Sequence, residues 1–137
     1  MFDRPRRNIA TAPFLFVVLL AGCTSGLKRP VVSYEASPDT NGIQHVTLHM
    51  HSYYFEPNRI VVHAGQPVEF KLMNHSLMVP HNFTVAESAM AVSQGTLWLT
   101  GAKRVTLTPG PPGEYEFFCH EDGHSKKGMK GTLVVVP

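Results

Sequence analysis

Cysteine is scarce in this chain of 137 residues, which contains two, Cys23 and Cys119. Small exported domains with a limited core commonly rely on several disulfides for their stability. Two cysteines cannot supply such a framework, and here each of them stands in a motif of a different kind. We therefore expect no disulfide framework, whatever the redox state of the compartment.

The chain also lacks an apolar run long enough to span a membrane. The run Ala12–Ala21 is about half of the ~20 residues that a spanning helix requires. Three arginines precede it, and a basic start followed by a short apolar run is typical of an export signal. We expect residues 1–22 to be a signal peptide. A transmembrane anchor is the alternative that the short run disfavours.

The end of this segment, Leu20-Ala21-Gly22-Cys23, resembles a bacterial lipobox, in which the cysteine is acylated and becomes the mature N-terminus. The resemblance implies a lipoprotein anchored to a membrane through Cys23. Ordinary cleavage, which would leave Cys23 as a free thiol, is the alternative. Thr24 stands where an aspartate would signal inner-membrane retention in enteric bacteria. The sequence therefore favours the outer membrane, on the periplasmic side of the bacterial cell envelope.

The chain has no excess of positive charge once the predicted signal peptide is removed. The whole chain has 12 basic and 10 acidic residues, which give a net charge of +2. Residues 1–22 contain three of the arginines and one aspartate, so nine charges of each sign remain. A nearly neutral mature chain offers no electrostatic attraction to nucleic acid, and we expect no such partner.

Residues 23–42 are rich in Ser, Pro, Asp, Asn and Gly and show no periodic pattern. We expect them to form a lipidated N-terminus and a flexible tether. The remaining residues, 43–137, suffice for one small domain but not for two.

Alternation of apolar and polar residues recurs through residues 43–137, between turns rich in Gly and Pro. Many short strands of this kind indicate an all-β sandwich. Residues 86–99 fit the pattern least well, with one helical turn at Ala86–Ala91 and an edge strand at Leu97–Leu99 as the best interpretation. The inward-facing residues predicted by the alternation are Val46, Leu48 and Met50; Ile60 and Val62; Val68, Phe70 and Leu72; and Val105 and Leu107.

The stretch Tyr115–Val136 carries the most distinctive chemistry of the chain. It has the pattern of a strand, a tight loop and a strand, and the loop contains Cys119, His124 and Met129. Glycines between these residues allow the backbone to turn tightly. A thiolate, two imidazoles and a long thioether suit copper that cycles between Cu(I) and Cu(II). Three of those four donors stand in this loop.

The fourth donor must come from elsewhere, and His81 is the best candidate because it follows the apolar strand Val68–Met73 and directly precedes Asn82. A His-Asn pair followed by Cys-x4-His-x4-Met near the C-terminus resembles the cupredoxins, the small copper proteins that include plastocyanin, azurin, auracyanin and rusticyanin. The loop spacing is closer to auracyanin and rusticyanin than to plastocyanin. The resemblance covers about His45–Pro137. His75 is the alternative to His81 as this ligand, but Asn82 would then not follow the ligand and the His-Asn pair would lose its meaning.

The resemblance implies a cupredoxin-like Greek-key β-sandwich with one type 1, or blue, copper ion held by His81, Cys119, His124 and Met129. It also implies that Asn82 ties the His81 loop to the Cys119 loop, and that the edge of His124 is the electron port. Such a protein transforms no substrate, so we expect no enzyme activity. We expect a monomer that carries single electrons between a donor and an acceptor redox protein.

One departure from the family pattern is His120, directly after Cys119. The last copper motif of multicopper oxidases is similar, but Phe118 stands where a further histidine would precede the cysteine. Such oxidases also require several His-x-His pairs, and this sequence has one, His49-Met50-His51. We expect His120 to be an outward-facing loop residue.

A second departure is the trio His45, His49 and His51, which shares one face of the first predicted strand. Histidines at i and i+2 on a strand can clamp a metal ion, so a secondary copper or zinc site is the alternative to a merely polar face. Such a site would favour a different function, that of a periplasmic module for copper binding, delivery or resistance.

Overall fold

The structure, a computed structural model, describes residues 28–85, 92–93, 97 and 100–137. The predicted signal peptide (residues 1–22), the predicted lipidation site Cys23 and the predicted helical turn Ala86–Ala91 lie outside these residues. In the part of the chain that is described, no helix has the length and apolar character needed to cross a membrane.

Strands dominate the described residues, together with one short 3-10 helix, Ser125–Lys127. Buried and exposed residues alternate along the longer strands, and the inward-facing residues predicted from the alternation are buried. The strands are β1 (Ser33–Glu35), β2 (Gln44–His51), β3 (Tyr54–Glu56), β4 (Arg59–His63), β5 (Val68–Asn74), β6 (Thr84–Val85), β7 (Val92–Ser93), β8 (Gly101–Leu107), β9 (Gly113–Phe118) and β10 (Lys130–Val136).

The strands form two sheets, with the orders β1-β4-β10-β9-β6-β7 and β3-β2-β5-β8. The chain passes from one sheet to the other after β1, β3, β4, β5, β7 and β8, so the two inner faces enclose a common core. Four buried phenylalanines lie at its centre, with ring centroids 5.0–5.5 Å apart in three pairs: Phe70 with Phe83, Phe55 with Phe117, and Phe83 with Phe117. The predicted all-β sandwich is confirmed.

The folded domain begins earlier than residue 43, so the prediction of a flexible tether is wrong for its C-terminal part. Strand β1 pairs in parallel with β4, and Ala36 is fully buried. The side chain of Asn58 fixes the approach to β1, since it accepts a hydrogen bond from the Val32 N–H and donates one to the Pro30 carbonyl. The sequence pattern missed β1 because all three of its residues are exposed and show no alternation.

Two loops meet at one end of the sandwich. Strand β6 pairs with β9 so that Thr84 lies opposite Phe118, which brings the segment before β6 next to the segment after β9. The first segment contains His81, whose backbone exchanges two hydrogen bonds with Leu97. The second contains Cys119. Strand pairing therefore places the two predicted ligand segments side by side.

Candidate metal centre

His81, Cys119 and His124 converge at this end of the sandwich. Their ligand atoms all lie within 4.8 Å of one another, and in the described part of the chain no other trio of His, Cys, Asp or Glu does so. The Cys119 Sγ is 3.5 Å from the Nδ1 of His124. His81 and Cys119 have no exposed surface, and His124 keeps 7% of its surface exposed. The site is therefore a closed cluster of one sulfur and two imidazole groups.

The side chain of His81 is held at one nitrogen and open at the other. Its Nε2 lies 2.9 Å from the Ser76 Oγ, whereas its buried Nδ1 has no hydrogen-bond partner among the described residues. Buried polar atoms without a partner are uncommon because burial removes their hydrogen bonds to water and no other hydrogen bond replaces them. When Nε2 donates its proton to Ser76, Nδ1 presents a free lone pair towards the cluster. This arrangement fits a metal ion bound at Nδ1.

The loop between β9 and β10 holds its three donor residues through its own backbone. Met129 is fully buried; its N–H donates to the His124 carbonyl, and its carbonyl accepts from the Cys119 N–H, both at 3.1 Å. Gly128 ends the 3-10 helix with φ of 104°, a left-handed conformation that few residues other than glycine adopt at low cost. The spacing Cys-x4-His-x4-Met thus closes into one compact turn.

Asn82 joins the two loops. Its backbone N–H points at the Cys119 Sγ at 3.5 Å, its Oδ1 accepts from the His120 N–H at 2.8 Å, and its Nδ2 donates to Glu121 at 2.9 Å. Asn82 is itself 1% exposed. A buried amide with both ends bonded fixes the distance between the His81 segment and the cysteine loop.

Burial sets the protonation states of the cluster. It lowers the pKa of His81 to about 4, and the nearby His124 lowers this pKa further. Burial also lowers the pKa of His124, and the positive charge of Lys127 lowers it further. The same burial raises the pKa of the Cys119 thiol. At neutral pH both imidazoles are therefore ready to bind a metal, whereas the thiol must lose its proton as the metal enters.

His75 and His120 lie outside this cluster. His75, the rival first ligand, is exposed, and its Nε2 is 2.7 Å from the Nδ1 of His49. His120 is exposed, as expected, and its Nδ1 lies 2.9 Å from the Thr84 hydroxyl.

The predicted secondary trio is wrong in its membership. His45 bonds to Asp39 at 3.0 Å and lies 3.6 Å from Glu69. His45 and His49 are four residues apart on β2, which is about 13 Å at ~3.3 Å per residue, so one metal ion cannot bind both. The structure instead places His75 against His49 and His51.

Three residues near the cluster were not predicted from the sequence. Ser76 bonds to His81, and Asn74 holds the Ser76 loop by accepting from the Ser76 N–H at 2.8 Å and donating to the Leu97 carbonyl at 2.9 Å. Tyr53 lies edge-on to His124 with ring centroids 4.7 Å apart. Nearness to His81 in sequence is a weak signal for Ser76, whereas Tyr53 belongs to no motif.

The family of the chain follows from comparison with known proteins. Residues 14–135 match the family model of the cupredoxin-like domain. The chain belongs to this family. The cupredoxin is also 31% identical over 131 residues to plastocyanin of Prochlorothrix hollandica, which covers 90% of this chain and 91% of that protein. It is 34% identical over 91 residues to plastocyanin of Ulva prolifera, across 61% of this chain and 88% of that one.

Solved structures confirm the cupredoxin fold. Reduced auracyanin of Roseiflexus castenholzii superposes with a TM-score of 0.64 at 19% identity, over 74% of this chain and all of that one. The metal-binding domain of the Streptococcus pneumoniae D39 Cu(I)-exporting ATPase CopA, with Cu(I), gives 0.64 at 22% identity, over 80% of this chain and all of that one. Cupredoxins bind one copper ion, and His81, Cys119 and His124 form a potential ligand site for it.

Proposed function

We propose that this cupredoxin is an exported, lipid-anchored type 1 copper protein that carries single electrons between redox partner proteins. The observation that carries the proposal is the buried trio His81, Cys119 and His124, with the unpartnered Nδ1 of His81. Copper bound there would cycle between Cu(I) and Cu(II) and so hold or release one electron. The trio would supply three ligands, and Met129 the fourth.

The surroundings of the donors support this role because they hold the donors in place. Ser76 orients His81, Asn82 joins the two loops, and Met129 fixes both Cys119 and His124 through its backbone. Hydrogen bonds to ligand residues of this kind set the orientation of the ligands and the properties of the site. A ligand set that need not rearrange between two oxidation states is what a one-electron carrier requires.

The exposure of the donors supports His124 as the electron port. His81, Cys119 and Met129 have no exposed surface, whereas His124 retains 7%. A partner protein can therefore approach the centre most closely over the His124 edge, beside Tyr53. Lys127 lies 4.0 Å over the Tyr53 ring, which places one positive charge at the rim of this approach.

The same burial supports a role without catalysis. A substrate would need direct access to a reactive atom, and three of the four proposed ligands are sealed from solvent. We therefore propose that the protein is not an enzyme and that its partners are a redox protein donor and acceptor. In this proposal the monomer is attached to the outer membrane through Cys23 and faces the periplasm, after removal of residues 1–22.

The alternative function is a periplasmic module for copper binding, delivery or resistance. One observation favours it, namely a partly exposed group of imidazoles at His49, His51 and His75. Delivery requires that copper leave readily, whereas the buried trio favours retention.

Voltammetry combined with a chelator challenge separates the two functions. For an electron carrier, the copper-loaded protein should give one reversible one-electron wave and retain its copper against a chelator in both oxidation states. Loss of copper to the chelator on each reduction would contradict the carrier function and favour delivery.

A further inference from the structure

Three histidines lie side by side on the outer face of the four-stranded sheet, apart from the buried centre. His49 and His51 point outward from β2, on the face opposite the buried Leu48 and Met50. Strand β5 runs parallel to β2 with Asn74 opposite Met50, and the His75 N–H donates to the Met50 carbonyl at 2.9 Å. This register brings His75, the residue after β5, to the two histidines of β2.

The His75 ring stacks on the rings of both His49 and His51. Its centroid lies 4.9 Å from that of His49 and 4.8 Å from that of His51, while the centroids of His49 and His51 are 6.4 Å apart. His75 is exposed and the other two are partly exposed, so that a dissolved ion can reach all three. We call these residues the surface histidine cluster.

The closest approach within the surface histidine cluster is between two ring nitrogens. The His49 Nδ1 and the His75 Nε2 are 2.7 Å apart. Two imidazole nitrogens bound at right angles to one metal ion, each at ~2.0 Å, are about 2.8 Å from each other. Modest rotation of the two rings would therefore exchange a shared proton for a shared metal ion.

The charge state of the neighbourhood also suits a cation. Glu56, the cross-strand partner of His49, brings a negative charge close by. The guanidinium of Arg29, stacked 3.7 Å over Tyr54, carries the opposite charge and partly offsets it.

We propose that His49 and His75 form a second, solvent-exposed site for a divalent transition-metal ion, with His51 as a third ligand once its ring turns. Among the described residues, only the buried trio brings three ligand atoms within 4.8 Å, so the surface site begins as a two-nitrogen clamp and binds more weakly. Nitrogen donors with open positions for water favour Cu(II) over Zn(II) in the usual order of stability.

A titration of the full-length protein tests this site. With one equivalent of copper already in the buried centre, added Cu(II) should bind as a second equivalent and give the electron paramagnetic resonance spectrum of tetragonal copper with nitrogen ligands. Zn(II) in a separate titration should bind more weakly, by calorimetry. Failure of the copper-loaded protein to bind a second equivalent at micromolar concentrations would overturn the proposal.

Matched variants locate the second equivalent. The double substitution His49→Ala and His75→Ala should weaken its binding at least tenfold, and His75→Ala alone, in an exposed loop, repeats the test if the double variant folds poorly. His45→Ala removes a histidine from the same strand face but outside the cluster, and should leave binding unchanged. Binding unaffected by the double substitution, or equally weakened by His45→Ala, would assign the ion elsewhere. Copper bound to the Cys119 thiolate should give a visible charge-transfer band, which reports on the buried centre independently. The proposal for the buried centre and the proposal for the surface site can therefore fail separately.

Discussion

At the scale of single residues, His81 and Ser76 show how this centre is prepared for a metal. The hydroxyl of Ser76 lies 2.9 Å from the Nε2 of His81 and 2.8 Å from the hydroxyl of Ser52. When Nε2 donates its proton to Ser76, these contacts hold the imidazole in the tautomer that leaves Nδ1 free. An imidazole without that bond could turn or change its tautomer, and its affinity for a metal would fall.

Ser76→Ala should lower the affinity for copper by about 10- to 100-fold, the usual effect of removing a hydrogen bond to a ligand. The backbone bond from Ser76 to Asn74 remains in this variant, so the loop should keep its path. Competition with a chelator of known affinity measures the change. Ser33→Ala, on the exposed strand β1, is the control. Equal affinities for the Ser76 variant and the wild type would show that the hydroxyl does not orient His81.

Residue types and their order predicted the candidate donors and Asn82, but not Ser76, Asn74 or Tyr53. The pair His81-Asn82 and the spacing from Cys119 to Met129 are visible in the sequence because they are local. The contact of Tyr53 with His124 and the bond from Asn74 to Leu97 join segments distant in the chain, so no local pattern encodes them. His75 joined the surface histidine cluster through the parallel register of β2 and β5, which alternation alone does not specify.

At the scale of elements, the centre depends on the junction between the segment before β6 and the loop after β9. Pairing of these two strands brings the segments together, and the side chain of Asn82 closes the gap with hydrogen bonds at both of its ends. Asn82 therefore links the stability of the junction to the position of Cys119.

Asn82→Ala should lower the free energy of unfolding of the copper-free protein by about 1–3 kcal/mol, because it leaves the His120 N–H without its partner. Denaturant unfolding measures this loss. Asn41→Ala, in an exposed turn, provides a control that should change stability by less than about 0.5 kcal/mol. If both substitutions had the same small effect, Asn82 would not hold the two loops together.

Elements with clear alternation were predicted well, and short ones were not. Strands β2, β4, β5, β8 and β10 bury one face, so the two-residue period of a strand appears in their sequences. Strand β1 is exposed on every residue, and β6 has two residues, so neither can show a period. The domain boundary was placed too late for this reason.

At the scale of the whole molecule, burial of the metal donors makes the stability of the copper-free protein depend on pH. The pKa of His81 is about 4 in the folded protein, against 6.5 for an exposed imidazole. Between pH 6.5 and pH 4, His81 therefore binds a proton in the unfolded chain but not in the folded protein. The stability associated with His81 is complete above pH 6.5 and is lost as the pH falls towards 4. His124, whose pKa is also lowered, contributes with the same sign.

Urea unfolding of the copper-free protein at pH 7, 5 and 4 should show a progressive loss of stability, with at most about 3 kcal/mol from His81. His45 acts with the opposite sign, because Asp39 raises its pKa, but both groups are exposed and their effect is screened. His81→Gln should flatten the dependence. A wild-type stability constant between pH 7 and 4 would contradict the account of the buried imidazoles.

The most direct test of the central claim is the visible absorption and electron paramagnetic resonance spectrum of the full-length protein loaded with one equivalent of Cu(II). A site built from His81, Cys119, His124 and Met129 should give an intense thiolate-to-copper charge-transfer band and narrow hyperfine splitting. Both should be absent in Cys119→Ser. A colourless protein with ordinary tetragonal copper, unchanged by Cys119→Ser, would show that copper does not bind at the buried trio and would contradict the proposed electron carrier.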